Sequence, residues 1–171
     1  MRALKARITR HFEGFARVEI DPEGRRRAAV AIVISPTDEG PAYLLTKRAM
    51  HMRRGAGNYA LPGGNLEPDE DAIDAARRET EEELGVVLPR EAALGLLDDF
   101  ATLGGHVVTP VVFWTGEPVT PVPNPDEVQI VWQVPLADLD HPRAPPALGR
   151  DRDALEAEEV AGDAGPKRAH A

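Results

Sequence analysis

Residues 64–86 read GNLEPDEDAIDAARRETEEELGV, and four glutamates crowd the end of this stretch. Alanine, isoleucine and leucine among the acids predict a helix from Glu70 to Leu84. In that helix Glu79, Glu82 and Glu83 stand at i, i+3 and i+4, so their carboxylates share one face. Because like charges at these spacings cost about 0.2–0.5 kcal/mol per pair, a salt bridge, solvent or a cation must compensate them.

The acidic surplus of the whole chain lies in and just before this helix. The formal net charge is −9, and residues 67–83 hold nine acids against Arg77 and Arg78. Such oxygen clusters suit hard divalent cations, and Mg²⁺ is usually held by a few carboxylates together with waters and substrate phosphates. The alternative is a solvated acidic helix stabilised by its two arginines, with Glu81 on another face and able to pair with Arg77.

Length and composition exclude several classes of protein. A chain of 171 residues with 42% hydrophobic content is long enough for one well-buried core and short for two. No apolar run approaches the roughly 18–20 residues that span a bilayer, so we expect a cytoplasmic protein without membrane contact. The negative charge argues against nucleic acid as a partner. The chain has no cysteine, so a metal must bind to oxygen or imidazole.

Three segments follow from the distribution of apolar residues. Residues 1–27 mix apolar and basic positions without a clean period and are predicted to form an N-terminal appendage. Residues 28–140 are predicted to form the domain, and residues 141–171 a marginally ordered tail. A glycine-rich loop is expected before the acidic helix, at residues 55–65. Short apolar runs predict five strands, the first two as a hairpin: residues 28–35, 42–48, 94–100, 106–115 and 127–134.

A longer pattern of fixed positions runs through the acidic stretch: Gly64-x5-Glu70-x7-Arg78-Glu79-x2-Glu82-Glu83-x-Gly85-Val86. It resembles, position by position, the signature of the Nudix hydrolases, with Thr80 in one slot that is usually hydrophobic. The resemblance implies an α/β protein, a Nudix-type α/β/α sandwich with a mixed β-sheet. It also implies hydrolysis of a nucleoside diphosphate linked to another moiety, with Mg²⁺ or Mn²⁺ as the cofactor.

The resemblance implies a specific role for each residue of the helix face. Glu70 and Arg78 would support the metal ligands without contacting the metal themselves. The ligands themselves would be the carboxylates of Glu79, Glu82 and Glu83, with the backbone carbonyl of Gly63 as a further one.

The base that takes a proton from the attacking water is open between Glu79 and Glu127, since Nudix enzymes differ on this point. Glu127 opens the last predicted strand, and Glu117 and Asp126 are weaker candidates. A pyrophosphate resists water because it is anionic, so bound cations would neutralise it and activate the nucleophile. The alternative is a non-catalytic Nudix module that senses a nucleotide, although such modules commonly lose the carboxylates that this chain keeps.

The stretch before the Nudix signature bears on the identity of the substrate. Residues 44–64, LLTKRAMHMRRGAGNYALPGG, resemble the coenzyme A pyrophosphatase branch of the family. A basic cluster in this stretch could hold substrate phosphates, including the 3′-phosphate of coenzyme A. ADP-ribose, a dinucleotide and a nucleoside triphosphate remain open as substrates. The chain could also form a homodimer. The cluster consists of Lys47, Arg48, Arg53 and Arg54.

Overall fold

The computed structural model describes residues 1–52 and 55–140. Two sequence predictions lie outside the described residues: the tail at residues 141–171, and the phosphate-binding roles of Arg53 and Arg54. In the described part of the chain, no helix has the length and apolar character needed to cross a membrane.

Two helices and eight strands make up the described structure. The helices are α1 (Arg2–Glu13) and α2 (Ala72–Leu84), and two short 3₁₀ helices cover Arg90–Ala92 and Leu136–Asp140. The strands are β1 (Arg26–Thr37), β2 (Gly40–Arg48), β3 (Tyr59–Ala60), β4 (Gly63–Asn65), β5 (Ala93–Leu96), β6 (Phe100–Ala101), β7 (His106–Trp114) and β8 (Val128–Pro135).

The strands form one mixed sheet with β1 near its centre. Its main order is β3-β2-β1-β7-β5, with β4 on β1, β6 on β7 and β8 on β2. Strands β1 and β7 run parallel, whereas the other pairings among the described strands are antiparallel. Eight of the nine residues of β7 are buried. Strands covered on both faces read as such near-continuous apolar runs, and β7 matches the strand that the sequence predicts almost residue for residue.

The sheet splits between β1 and β2, and the acidic helix lies beside the split. The two strands pair only near their hairpin, from Ile34↔Tyr43 to Thr37↔Gly40. Beyond it, β3 pairs with β2 and β4 pairs with β1. The predicted glycine-rich loop therefore contains two very short strands. Gly63 makes the close approach of β4 possible, because a Cβ there would lie 2.2 Å from the carbonyl oxygen of Ala29.

Helix α2 buries one face against the sheet and ends where the sequence predicts. Ala75, Ala76 and Leu84 are fully buried in the larger core cluster. The helix starts two residues later than predicted, because Asp71 is its N-cap and accepts a hydrogen bond from the Asp74 N–H at 2.9 Å. Gly85 adopts a left-handed conformation (φ 64°) and terminates the helix.

Helix α1 covers the opposite face of the sheet. Partly buried apolar residues on one side of it, Leu4, Ile8 and Phe12, pack on a second core cluster that includes Val112 and Trp114. The sheet therefore lies between two helical layers, which confirms the predicted α/β/α architecture. Although the sequence suggests that residues 1–27 are an appendage, their helix is packed on the domain.

The strand predicted at residues 94–100 is interrupted. Strand β5 ends at Leu96, and pairing with β7 resumes only at Phe100. Between them the Asp99 side chain is buried and accepts hydrogen bonds from Arg17 and Thr109, both at 2.6 Å. This polar network anchors the segment after α1 and takes the place of regular strand pairing.

Gly95 offers a test of the α1 contact. A Cβ at this position would lie 2.3 Å from Cδ1 of Phe12, so Gly95→Ala should destabilise the protein by about 1–3 kcal/mol through overpacking. Urea unfolding would measure this change. Gly14→Ala is the matched control, because nothing lies within 4 Å of a Cβ there. A Gly95→Ala variant as stable as the control would contradict this packing.

Candidate functional site

Glu83 is a carboxylate buried in the last turn of α2. The residue is 3% exposed, and Nη1 of Arg48 lies 3.8 Å from its Oε1. Burial raises the pKa of Glu83 to about 8, and the charge of Glu79 adds to the effect, whereas Arg48 and the Gly63 backbone oppose it. A carboxylate that is this desolvated gains most from a strong local positive charge.

Glu79 lies one turn earlier on the same face and is half-buried. Burial raises its pKa, although its hydrogen bond with Arg78 opposes the rise. A Cβ on Gly64 would lie 2.3 Å from Oε1 of Glu79, so the carboxylate packs directly on the backbone of β4. Glycine at this position allows the acidic face and the β4 backbone to meet.

Arg78 binds the helix to the preceding loop. Its Nε and Nη2 donate to the two oxygens of Glu70 at 3.0 and 3.1 Å, and this pairing lowers the pKa of Glu70. Nη2 also donates to the Asn65 carbonyl at 3.0 Å. Nη1 donates to Glu79 at 2.7 Å and to Glu82 at 3.2 Å. The predicted grouping of Glu70 with Arg78 is thus a direct bidentate contact.

The donor set fits a divalent cation in chemistry, although its side chains do not converge on one point. Across residues 1–52 and 55–140, no three histidine or acidic side chains are arranged to hold a metal ion. Glu79 and Glu82 both contact the Arg78 guanidinium instead. A divalent ion would compete with Arg78 for these oxygens, and Glu83 would contribute a buried carboxylate on the same helix face.

The predicted pairing of Arg77 with Glu81 is wrong. The Arg77 guanidinium instead contacts Asp74 at 2.9 Å and donates to the carbonyl of Leu88 at 2.6 Å. Asp74 lies one turn back toward the N-terminus, and the Leu88 carbonyl offers a partner beyond the helix end. Glu81 is exposed on the side of α2 away from the buried core.

Glu127 joins the acidic face from a distant part of the chain. It lies in a turn immediately before β8, because the strand predicted from residue 127 begins one residue later, at Val128. The turn is attached to the end of α2, because the Asn124 N–H donates to the Glu83 carbonyl at 2.9 Å. Burial raises the pKa of both Glu79 and Glu83, and the charge of Glu127 adds to the rise. The structure therefore brings together Glu70, Arg78, Glu79, Glu82, Glu83, Gly63, Arg48 and Glu127.

Arg48 is the member of the predicted basic cluster that contacts the acidic helix, with Nη1 3.8 Å from Oε1 of Glu83. Lys47 pairs in register with Tyr59 and Ile130, and the pairing of β2 with β8 is irregular between Lys47 and Arg48. The role of Lys47 in binding phosphate stays a prediction.

Asn65 and Asn124 are site residues that the sequence analysis missed. The Asn65 carbonyl accepts from Arg78, and the Asn124 side chain donates to Glu127. The sequence Asn124-Pro125-Asp126 is a turn signal that could have indicated a fixed loop beside the acidic helix. The sequence gives no such signal for Asn65, because its contact with Arg78 is made by the backbone carbonyl, which every residue has.

Together, the split mixed sheet and the acidic helix packed beside it define a class of protein. Residues 24–156 match the model of the NUDIX domain, and the chain belongs to this family. It is 37% identical over 122 residues to the Nudix hydrolase NudL of Shigella flexneri serotype 5b, a match that covers 71% of the chain. The match covers 63% of that relative, so the chain spans less than two thirds of its length.

Solved structures share the fold at lower identity. The NUDIX domain of Shewanella oneidensis NrtR, complexed with ADP ribose, superposes with a TM-score of 0.56 at 22% identity, covering 70% of this chain and 80% of that one. A bifunctional NMN adenylyltransferase/ADP ribose pyrophosphatase from Francisella tularensis, complexed with AMP and a manganese ion, gives 0.54 at 22% identity, covering 81% and 41%. These likenesses show the fold.

Burial of Glu83 predicts an unusual dependence of stability on pH. Its pKa is about 8 in the folded protein, above the ordinary value of about 4.3, so folding favours the protonated form. Its contribution to stability is full below about pH 4 and is lost as the pH rises to about 8. In EDTA, the free energy of unfolding should fall between pH 5 and pH 8 by up to about 4 kcal/mol.

Two variants distinguish the contribution of Glu83 to this pH dependence from the contributions of other titratable groups. Glu83→Gln should reduce the slope of stability against pH and raise stability at pH 8, although the raised pKa of Glu79 acts in the same sense and leaves part of the slope. Glu81→Gln, exposed on the same helix, should keep the slope. The lowered pKa values of Glu70, Asp71 and Asp99 act in the opposite sense and only toward lower pH. Urea unfolding of the three proteins at each pH is the measurement, and an unchanged slope in Glu83→Gln would contradict the assignment.

Proposed function

We propose that this chain is a pyrophosphohydrolase that uses Mg²⁺ or Mn²⁺ to cleave a nucleoside diphosphate linked to another moiety. The observation that carries the proposal is the buried Glu83 carboxylate, with Glu79 beside it on the helix and Glu127 nearby. Three carboxylates of this kind repel one another, and a bound divalent ion relieves the repulsion. Glu79, Glu82 and Glu83 would hold the ion, and the Gly63 carbonyl could add an oxygen.

The reaction needs one water and one proton acceptor. Water attacks a phosphorus atom of the anhydride, the bond to the bridging oxygen breaks, and one proton of the water passes to a carboxylate. The bound ion would neutralise the charge of the pyrophosphate. Arg78 orients Glu79 and Glu82 through its Nη1, and Arg48 supplies positive charge at the same face.

Glu127 is the better candidate for the proton acceptor. Oε1 of Glu79 accepts a hydrogen bond from Arg78 Nη1 at 2.7 Å, so this oxygen is already occupied by a donor. In the described part of the chain, the Glu127 side chain has one long hydrogen bond, from Asn124 Nδ2 at 3.4 Å. Its carboxylate therefore keeps lone pairs free for a water molecule.

The comparisons support a nucleotide-type substrate. The relative NudL is named a Nudix hydrolase, and the Francisella tularensis and Shewanella oneidensis structures contain AMP and ADP ribose. The manganese ion of the former agrees with a divalent cofactor. A non-catalytic sensor remains the alternative from another class, because the Shewanella oneidensis protein is likewise a NUDIX domain that binds ADP ribose.

Coenzyme A or a derivative is the substrate we propose within this class. The support is the resemblance of residues 44–64 to the coenzyme A branch, together with the position of Arg48 beside Glu83. A guanidinium there can form a bidentate contact with a phosphate. ADP-ribose, dinucleotides and nucleoside triphosphates are the competing substrates.

Removing one ligand charge tests the metal-dependent reaction. Glu83→Gln and Glu82→Gln should each abolish most pyrophosphate cleavage, because each removes a carboxylate charge at constant size. Glu81→Gln is the matched control and should keep wild-type turnover, since Glu81 is exposed on another side of α2. Product chromatography with and without Mg²⁺ is the assay. Full activity in EDTA would refute the metal site, and ADP-ribose binding without turnover would favour the sensor.

Substrate preference tests the role of Arg48. If Arg48 recognises the 3′-phosphate, kcat/KM for coenzyme A should exceed that for dephospho-coenzyme A by about 10–150-fold. Arg48→Ala should narrow this ratio, whereas Arg25→Ala, a remote arginine that contacts Glu23, should leave it unchanged. A higher kcat/KM on ADP-ribose or a nucleoside triphosphate would exclude coenzyme A and leave the hydrolase chemistry standing.

A further inference from the structure

Asn124 is the centre of a small hydrogen-bonded turn that ends at Glu127. Its Oδ1 accepts from the Asp126 N–H at 3.1 Å, which forms an Asx-turn. Its carbonyl accepts from the backbone N–H of Glu127 at 3.0 Å and of Val128 at 2.8 Å. Its Nδ2 donates to Oε1 of Glu127 at 3.4 Å. The Asn124 side chain and backbone thus set both the path of the turn and the direction of the carboxylate.

The same residue is tied to the end of the acidic helix. The backbone N–H of Asn124 donates to the carbonyl of Glu83 at 2.9 Å, and that of Val122 donates to Leu84 at 2.7 Å. The last carbonyls of a helix have no partner within it, so these two bonds complete the C-terminus of α2. The distance between the Glu83 backbone and the turn is therefore fixed by Asn124 itself.

A second attachment holds Glu127 from the side of β2. The Ala49 N–H donates to the Glu127 carbonyl at 2.8 Å, and Nε2 of His51 lies 3.0 Å from the Asp126 carbonyl oxygen. With the main chain of Glu127 held on both sides, the freedom that remains is rotation of its side chain. Among the described residues, the Asn124 amide is the group that hydrogen-bonds to the Glu127 carboxylate.

We infer that Asn124 is a positioning residue that directs the Glu127 carboxylate toward Glu79 and Glu83. The inference deepens the proposed function, on which it rests, because Glu127 is the proposed proton acceptor. The 3.4 Å distance is long for such a bond, and bonds of this kind tighten when substrate is bound. A misplacement of about 1 Å in a catalytic group can cost on the order of 10²-fold in rate.

Asn124→Asp isolates the amide donor. Aspartate keeps the size of the side chain and the oxygen that forms the Asx-turn, but it cannot donate and it repels Glu127. We expect kcat to fall about 10–100-fold, with KM within about twofold and an unchanged midpoint of thermal unfolding. A merely structural role would lower the unfolding midpoint instead. Gln133→Glu is the matched control, because it also replaces an amide donor to this loop, at Val119, and should keep wild-type kcat.

A double-mutant cycle shows whether Asn124 acts through Glu127. In the Glu127→Gln background, which should itself lower kcat by about 10²–10⁴-fold, Asn124→Asp should add little further loss. Wild-type kcat in Asn124→Asp, or an equal loss in both backgrounds, would overturn the inference. Near-normal kcat in Glu127→Gln would do so as well, since it removes the proton acceptor that Asn124 is said to position.

A structural readout keeps this inference separate from the proposed function. If the wild-type protein hydrolyses none of the nucleotides, the proposed function fails, and the crystal structure of Asn124→Asp then decides the positioning role. A Glu127 carboxylate rotated away, with the bond from residue 124 to the Glu83 carbonyl retained, supports the inference. A carboxylate in its original position overturns it.

Discussion

Burial of the Glu83 carboxylate is the constraint on which the rest of the site depends. A charged group removed from water is costly unless another charge compensates it, and the Arg48 nitrogen at 3.8 Å compensates only in part. The burial accompanies a close approach of β4 to β1 on one side and to α2 on the other, which needs glycine at two consecutive positions. A side chain at Gly63 would collide with the backbone of β1, and one at Gly64 with Glu79. The glycine pair and the buried acid are therefore parts of one packing arrangement.

Arg78 explains how the helix tolerates its own charges. One guanidinium contacts three carboxylates and a carbonyl, so the repulsion along the helix face is balanced within the loop-helix unit. Glu70 accepts the bidentate contact from Arg78, which lowers the pKa of Glu70. Glu79 and Glu82 both accept from the remaining nitrogen, Nη1. Glu70 is thus the acid that holds Arg78 in place, and the other two carboxylates are the ones that an added cation could draw away.

Local patterns predicted the parts of this structure that depend on neighbouring residues. The end of α2 followed from Gly85, and β7 followed from an unbroken apolar run. The two-residue strand β3 has no local signal, because its pairing with β2 is set by the split of the sheet. The packing of α1 on the sheet could not be predicted from local sequence either. It depends on Gly95 leaving space for Phe12, which lies some eighty residues away in sequence. The shared helix face of the glutamates was predictable from spacing, but the partner of Arg77 was not.

The acidic site is assembled from four separate segments, and strand register decides which residues reach it. Arg48, the last residue of β2, contacts Glu83. A shift of one residue in the pairing of β2 with β8 would turn Arg48 to the other face of the sheet. Because Ala49, directly after β2, binds the Glu127 carbonyl, the same register also fixes the turn before β8. The backbone positions of Arg48 and Glu127 are consequently linked through one strand pairing, whereas the direction of the Glu127 carboxylate depends on its contact with Asn124.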